Sequence, residues 1–135
     1  MAAELFEKHD QIAIKLRLPL APTANNLKAI RELPGRKPFL VPSTAYNAYK
    51  KQVKRCWWVN PSTPSAPITA RLRVSVTVCY RDRRCMDVEN FTKGMLDALT
   101  EAGAWLDDSQ IDELHVFRGP IAPPAGYCDV TIEAI

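Results

Sequence analysis

Alternating apolar and polar positions predict four β-strands in this chain. Between Gln11 and Leu18 apolar side chains occupy every second position, and the same pattern runs from Ala70 to Tyr80. Alternation with a period of two indicates strands with one buried face. The segments Ile111 to Arg118 and Tyr127 to Ile135 predict two further strands. The proline-rich stretch that begins at Pro19 predicts a long irregular loop, of the kind that is usually functional or mobile.

Spacings of three and four residues predict two helices. Ser43 is suited to cap a helix that extends to about Trp57. A second apolar stripe predicts a helix from about Asp87 to Ala102, and Gly103 is a natural residue to end it. The polar, proline-containing stretch from Asn60 to Pro67 predicts a surface loop.

These elements and the length of the chain predict a single small domain. A chain of 135 residues can be served by one hydrophobic core. We therefore expect residues 1–135 to form one α+β domain, with a mixed sheet of about four strands and two main helices packed on it.

Composition narrows the class of protein. Hydrophobic residues make up 47% and charged residues 24%, which is ordinary for a soluble globular protein. No apolar run approaches the roughly 20 residues that span a bilayer, and Met1 to Asp10 does not resemble a signal peptide. The four cysteines include no C-x-x-C pair, and neither histidine has a zinc-finger spacing from them. We expect a cytoplasmic protein with reduced thiols, no membrane partner and no zinc.

Charge is distributed unevenly along the chain. Residues 1–84 carry a net charge of +11 and residues 85–135 a net charge of −8. This segregation indicates either a basic surface for a polyanion beside an acidic cation site, or two solvated charged faces. The basic residues that we expect to contact DNA phosphates lie in the proline-rich loop, on the first helix and in the turn after the Ala70–Tyr80 strand: Arg36, Lys37, Lys50, Lys51, Lys54, Arg83 and Arg84.

Four acidic residues flank the second predicted helix. Asp87 and Glu89 stand at its beginning, and Asp107 and Asp108 follow its end. On a helix Asp87 and Glu89 would point about 160 to 200 degrees apart, so sharing a cation requires an extended backbone at Asp87. Alternatively, Asp87 caps the helix and Glu89 favours its positive end. Two adjacent acids in a turn usually face solvent or cap the next element, and the sequence does not decide whether Asp107 and Asp108 instead return to the beginning of the helix.

The residues from Asp82 to Asp108 resemble the signature of the RusA family of Holliday-junction resolvases. That family is known for a D-R-R-x-x-D-x-D-N-x-x-K pattern, followed by D-A-L and then by G-x-W-x-D-D. The matching segments here are Asp82 to Lys93, Asp97-Ala98-Leu99 and Gly103 to Asp108. A looser likeness covers Leu18 to Asn26, where members tend to have L-P-x-x-P-S-x-N.

The resemblance implies a homodimeric, Mg²⁺-dependent endonuclease that cuts branched DNA at four-way junctions. Mn²⁺ is a plausible substitute for Mg²⁺, and no small-molecule cofactor is expected. Carried over position by position, Asp87, Glu89 and Asp108 correspond to the essential acids. Lys93 corresponds to the functional lysine, although an ion pair with Glu89 is its alternative role. Asp107 is implied as an adjacent metal ligand.

One position departs from the family pattern, and it leaves alternatives open. The second acid is usually Asp, and the longer Glu89 moves its carboxylate by about 1 Å, a displacement that can cost roughly a hundredfold in rate. A DNA-binding protein with weakened or absent cleavage is therefore an alternative. A metal-dependent enzyme that acts on nucleotides is a third hypothesis, which the basic first 84 residues make less attractive.

Overall fold

A four-stranded mixed sheet forms the centre of the protein. The computed structural model describes residues 13–83 and 87–135. Its main sheet contains β1 (Ala13–Leu18), β4 (Leu72–Cys79), β5 (Ile111–Arg118) and β6 (Tyr127–Ala134). The strand order is β1-β6-β4-β5; β6 is antiparallel to both of its neighbours, while β4 and β5 are parallel. The predicted α+β architecture with a mixed sheet is confirmed.

Two helices cover one face of this sheet. Helix α1 spans Thr44–Val59 and helix α2 spans Thr92–Ala102. The hydroxyl of Ser43 accepts a hydrogen bond from the backbone N–H of Tyr46, so the predicted N-cap is confirmed. Gly103 ends α2 with a φ of 90°, a left-handed conformation that glycine adopts without steric cost.

The alternation predicted from the sequence matches the burial of the strands. The even-numbered side chains from Leu72 to Val78 on β4 are buried, and those from Cys128 to Ala134 on β6 pack beside them. Helix α1 contributes Tyr46, Tyr49, Val53 and Trp57 to this core, and α2 contributes Met95, Leu99 and others. The apolar stripe on α1 therefore belongs to the core.

The proline-rich segment contains a hairpin that the sequence analysis missed. Strands β2 (Lys28–Arg31) and β3 (Phe39–Pro42) pair antiparallel in a separate two-stranded sheet. Our expectation of an irregular loop was therefore wrong here. Ile30 and Leu40 are 69% and 62% exposed, so burial does not select these strands and the apolar pattern does not identify them.

The second helix also begins later than predicted. Val88–Phe91 forms a turn of 3-10 helix before α2 starts at Thr92. Asp87, which precedes this turn, has an extended backbone. Two expectations concern residues outside the described ranges. They are the start of the first predicted strand, at Gln11 and Ile12, and the predicted DNA contact of Arg84. Within the residues that the structure describes, no helix is both long and apolar enough to cross a membrane.

Candidate active site

An acidic cleft lies between α2 and the edge strand β5. Helix α2 and the turn before it present Glu89, Lys93 and Asp97 to this cleft, while Leu114 and Val116 form the wall on β5. Asp108 is also among its lining residues. Glu89, Lys93 and Asp97 are spaced four residues apart, which is the interval that places helical side chains on one face. Three of the predicted site residues, Glu89, Lys93 and Asp108, are therefore brought together.

Asp97 is a member of this cleft that the sequence analysis missed. Partial burial raises the pKa of the Asp97 carboxyl, and the negative charge of Asp108 and a hydrogen bond with it raise it further. Lys93 acts in the opposite direction. Two neighbouring carboxylates repel each other unless a cation or a proton lies between them. In the sequence, Asp97 stood out only as part of the D-A-L segment. That segment helped to identify the family but did not predict a role for Asp97 in the site.

A hydrogen-bonded network fixes the direction of Asp108. The indole N–H of Trp105 lies 2.7 Å from Oγ1 of Thr100 and 3.1 Å from Oδ1 of Asp108. The Thr100 hydroxyl is also within hydrogen-bonding distance of Oδ1 of Asp108 and of the Leu96 carbonyl. Because the hydroxyl has one proton, donation to the charged carboxylate is the stronger of the two bonds. Trp105 is 1% exposed, so this network is anchored in the core.

The loop that carries Asp108 back to α2 is fixed by Gln110. The buried side chain of Gln110 accepts hydrogen bonds from the backbone N–H groups of Leu106 and Asp107, at 2.8 and 3.0 Å. Its amide nitrogen donates to the carbonyls of Ile68 and Ala70, at 2.7 and 3.0 Å. The return of the chain, which the sequence left undecided, therefore depends on one buried amide.

Asp107 has a different environment from Asp108. It is exposed and caps the 3-10 helix Asp108–Gln110, because its carboxylate accepts a hydrogen bond from the backbone N–H of Ser109. Bonds with Ser109 also lower the pKa of Asp107. The structure does not place Asp107 among the residues that line the acidic cleft.

Asp87 also lies outside the lining of the cleft. Its extended backbone agrees with the geometry that we required for metal binding, and its side chain makes no capping hydrogen bond. Its charge acts on Tyr80: burial raises the pKa of Tyr80, Arg118 lowers it, and Asp87 raises it. Asp87 is therefore close enough to Tyr80 for its charge to act there, while Val88 and Glu89, the next residues in the chain, line the cleft.

The carboxylates that the structure brings together suit a hard cation. Among residues 13–83 and 87–135, no three His, Cys, Asp or Glu side chains are grouped closely enough to enclose a metal ion. Mg²⁺ does not require such a cage, because it is normally held by one or two carboxylates and keeps several waters. The neighbouring pair Asp97 and Asp108 supplies oxygen ligands of this kind. The buried Thr92 hydroxyl, which also lines the cleft, has no hydrogen-bond partner among the residues that the structure describes.

The predicted DNA-binding residues that the structure describes lie at three places in the fold. On α1, Lys50, Lys51 and Lys54 line one shallow depression, and Lys50 forms an ion pair of 3.1 Å with Glu101 of α2. Arg36 and Lys37 lie in the connection between β2 and β3, with the Arg36 guanidinium 5.0 Å from the centre of the Phe39 ring. Arg83 is exposed after β4.

Comparison with known proteins identifies the family of this chain. The family model for endodeoxyribonuclease RusA matches residues 19–128. The chain therefore belongs to the RusA family, as the motifs from Asp82 to Asp108 predicted.

Individual relatives agree with this membership. The crossover junction endodeoxyribonuclease RusA of Enterobacteria phage 82 is 32% identical over 85 residues, which cover 63% of this chain and 68% of the phage protein. The protein of the same name from Enterobacteria phage HK97 is 40% identical over 63 residues, 47% of this chain and 52% of that protein. That of Escherichia coli strain K12 is 43% identical over 61 residues, and the match spans 50% of its length.

Proposed function

We propose that this protein is a metal-dependent endonuclease that resolves four-way DNA junctions. The observation that carries the proposal is the acidic cleft, where Glu89, Asp97 and Asp108 approach Lys93. Phosphodiester hydrolysis needs relief of the negative charge that develops on the phosphate and on the leaving oxygen. Family membership supports the reaction, and the names of the relatives support the branched substrate.

Each group in the cleft has a proposed role. The neighbouring pair Asp97 and Asp108 would hold Mg²⁺ together with water, with Mn²⁺ as a substitute. Glu89, which lines the same cleft, and Asp87, which precedes the 3-10 turn, are further proposed ligands. When bound, the metal supplies Lewis-acid stabilisation of the phosphate and an activated water. The Lys93 ammonium, which is exposed at the cleft, would neutralise the scissile phosphate or its leaving oxygen. Trp105 and Thr100 act through Asp108, because they hold one of its oxygens in a fixed direction.

A symmetric homodimer would suit a substrate with two equivalent strands to cut. Strand β5 supports this proposal, because it lies at the edge of the sheet and carries an apolar side chain outside the cleft lining, Phe117, which is 55% exposed. An edge strand with exposed apolar residues is a site at which another chain can pair. Light scattering of the wild-type protein and of Phe117→Lys tests the proposal: a dimer that Phe117→Lys dissociates agrees with it, and a wild-type monomer contradicts it.

Nicking of synthetic DNA tests the proposed activity. A labelled four-way junction and a linear duplex of the same sequence are incubated with the protein in Mg²⁺, Mn²⁺ or EDTA. We expect symmetrical cuts in the junction with either metal, none in EDTA, and little cleavage of the duplex. Junction binding without cleavage in either metal would favour the second candidate, a binding protein whose catalysis is weakened by Glu89.

A further inference from the structure

A second cavity shares the 3-10 turn Val88–Phe91 with the acidic cleft, because Phe91 is among its lining residues. It has a volume of about 670 Å³, within the range of small-ligand sites. Three stretches that are distant in sequence form its walls: the loop after β1, the first half of α1, and the end of β4 with the residues that follow it. Pro22, Thr23 and Asn26 of the family-like segment Leu18–Asn26 are among its lining residues, and the proposed chemistry does not use them.

Small side chains on α1 keep this cavity open. Ala45 and Ala48 line the cavity together with Gln52. The three residues are spaced three and four positions apart, so they lie along one side of the helix. The neighbouring positions Tyr46 and Tyr49 are large and fill the core. A bulky residue at position 45 or 48 would occupy the cavity without removing a core contact, since both alanines are exposed.

The lining has the chemistry of a nucleotide site. Lys28 and Arg81 are basic and Asp82 is the acid among the lining residues, so cations exceed anions. Asn26 donates from its amide nitrogen to Oγ1 of Thr23 at 2.9 Å, which orients its carbonyl oxygen as an acceptor. Side-chain amides such as those of Asn26 and Gln52 suit the hydrogen-bonding edge of a base. Tyr80 and Phe91 are buried and contribute an apolar part of the cavity wall.

The position of the cavity connects it with the acidic cleft. Phe91 lines the cavity, while Val88 and Glu89 of the same turn line the cleft. Tyr80, on which the charge of Asp87 acts, is also part of the cavity wall. Since one short turn contributes to both sites, a strand with a phosphate in the cleft could place a neighbouring nucleotide at the cavity. Extruding one base from a duplex arm costs a few kcal/mol, which contacts in the cavity would have to offset.

We propose that this cavity binds one unstacked nucleotide of the junction beside the scissile phosphate, and thereby gives cleavage a base preference. The inference rests on the proposed nuclease function, since the cleft must hold the scissile phosphate. The occupant is a nucleotide within a strand. A free mononucleotide offers the same chemical groups. Thermal stabilisation by deoxynucleoside monophosphates distinguishes it from a nucleotide within a strand.

Ala48→Phe, which fills the cavity, is the test variant, and Thr44→Phe is its control, since Thr44 is exposed on the same helix and does not line the cavity. Cleavage is measured on junctions that carry each of the four bases at the positions flanking the cut. We expect the wild type and Thr44→Phe to prefer one base by about tenfold, and Ala48→Phe to lose most of this preference. Equal wild-type rates for all bases, or an unchanged preference in Ala48→Phe, would overturn the proposal.

A binding measurement separates failure of the cavity from failure of the nuclease. Junctions with 2-aminopurine at each flanking position are saturated with Asp108→Asn protein, so that no cleavage is required. We expect a fluorescence change at one position, which disappears when Ala48→Phe is added to that variant. No change at any position refutes the cavity even if cleavage occurs. Thermal stabilisation of the wild type by millimolar deoxynucleoside monophosphates, absent in Ala48→Phe, would assign the cavity to free nucleotides and also overturn the proposal.

Discussion

The indole nitrogen of Trp105 lies 3.1 Å from Oδ1 of Asp108 and joins a residue of the core to a carboxylate of the acidic cleft. Thr100, at 2.7 Å from the same indole nitrogen, completes the network. The relationship gives a physical role to the tryptophan of the G-x-W-x-D-D motif. A buried aromatic ring with one polar atom holds a carboxylate in place more rigidly than an exposed side chain can.

Trp105→Phe tests this role. Phenylalanine keeps an aromatic ring in the core but lacks the N–H donor, so Asp108 loses one of its two donors. We expect the cleavage rate to fall by about 10-fold to 100-fold, as is common when a partner of a metal ligand is removed. Stability should fall by about 1 to 3 kcal/mol, because a cavity and an unpaired polar group remain. Single-turnover cleavage and urea denaturation measure the two effects.

Thr100 provides the matched conservative test of the same network. Thr100→Ser retains the hydroxyl, whereas Thr100→Val retains the shape and removes it. We expect Thr100→Ser to cleave within about threefold of the wild type and Thr100→Val to require more Mg²⁺ for half-maximal rate. The same Mg²⁺ dependence in both variants would show that the hydroxyl does not position Asp108.

The sequence predicted the main sheet and both helices, because burial of one face imposes a period on each of them. The alternation from Leu72 to Val78 is an example. Strands β2 and β3 escaped prediction because they pair with each other while Ile30 and Leu40 face solvent. Backbone hydrogen bonds rather than burial stabilise this hairpin. Such bonds impose no pattern of apolar and polar side chains from which the strands could be predicted.

The site was predicted less completely than the fold. Glu89, Lys93 and Asp108 came from the family motifs, and the structure brings them into one cleft. Asp97 and Asp108 lie close together because Gln110 fixes the loop that carries Asp108. Gln110 does so through hydrogen bonds to the carbonyls of Ile68 and Ala70. Contacts over 40 residues of separation leave no local pattern, so Asp97 was not recognised as part of the site. The cap at Asp107 depends on local contacts with Ser109 and Gln110, and capping was one of the alternatives that the sequence left open.

Mg²⁺ should stabilise the folded protein through Asp97 and Asp108. Binding at tenfold above the dissociation constant contributes about 1.4 kcal/mol, or roughly 5 °C in melting temperature for a domain of this size. Asp97→Asn should abolish most of this shift and melt slightly higher than the wild type in EDTA, because like-charge repulsion is relieved. Glu101→Gln, which removes a charge one turn further along α2, should retain the shift. Equal Mg²⁺ shifts in all three proteins would exclude Asp97 from the metal site.

Junction binding should weaken with salt, and the lysines of α1 should contribute unequally. Lys51 and Lys54 are exposed, whereas Lys50 is half-buried and paired with Glu101 at 3.1 Å. Each phosphate contact contributes about −0.9 to the slope of log affinity against log salt. We expect Lys51→Ala and Lys54→Ala each to flatten the slope by about that amount and Lys50→Ala to have a smaller effect. A wild-type slope near zero would show that these basic residues do not bind DNA phosphates.

Glu89→Asp tests whether the departure from the family pattern limits catalysis. If the longer side chain misplaces its carboxylate, the substitution should raise the cleavage rate about tenfold or more, with junction affinity nearly unchanged. Rates are compared at saturating Mg²⁺, so that weaker metal binding does not mask the effect. A slower Glu89→Asp enzyme would show that the surrounding cleft is adapted to Glu.

Asp107 and Asp108 are adjacent acids with different environments, and they offer the most direct test of the acidic cleft. Asp108→Asn keeps the shape and the bonds to Trp105 but removes the charge, whereas Asp107→Asn keeps a side chain that caps helices equally well. We predict that Asp108→Asn cleaves a four-way junction at least a hundredfold more slowly than the wild type, while it still binds the junction. We predict that Asp107→Asn cleaves within about threefold of the wild type. Wild-type cleavage by Asp108→Asn, or equal losses in the two variants, would contradict the account.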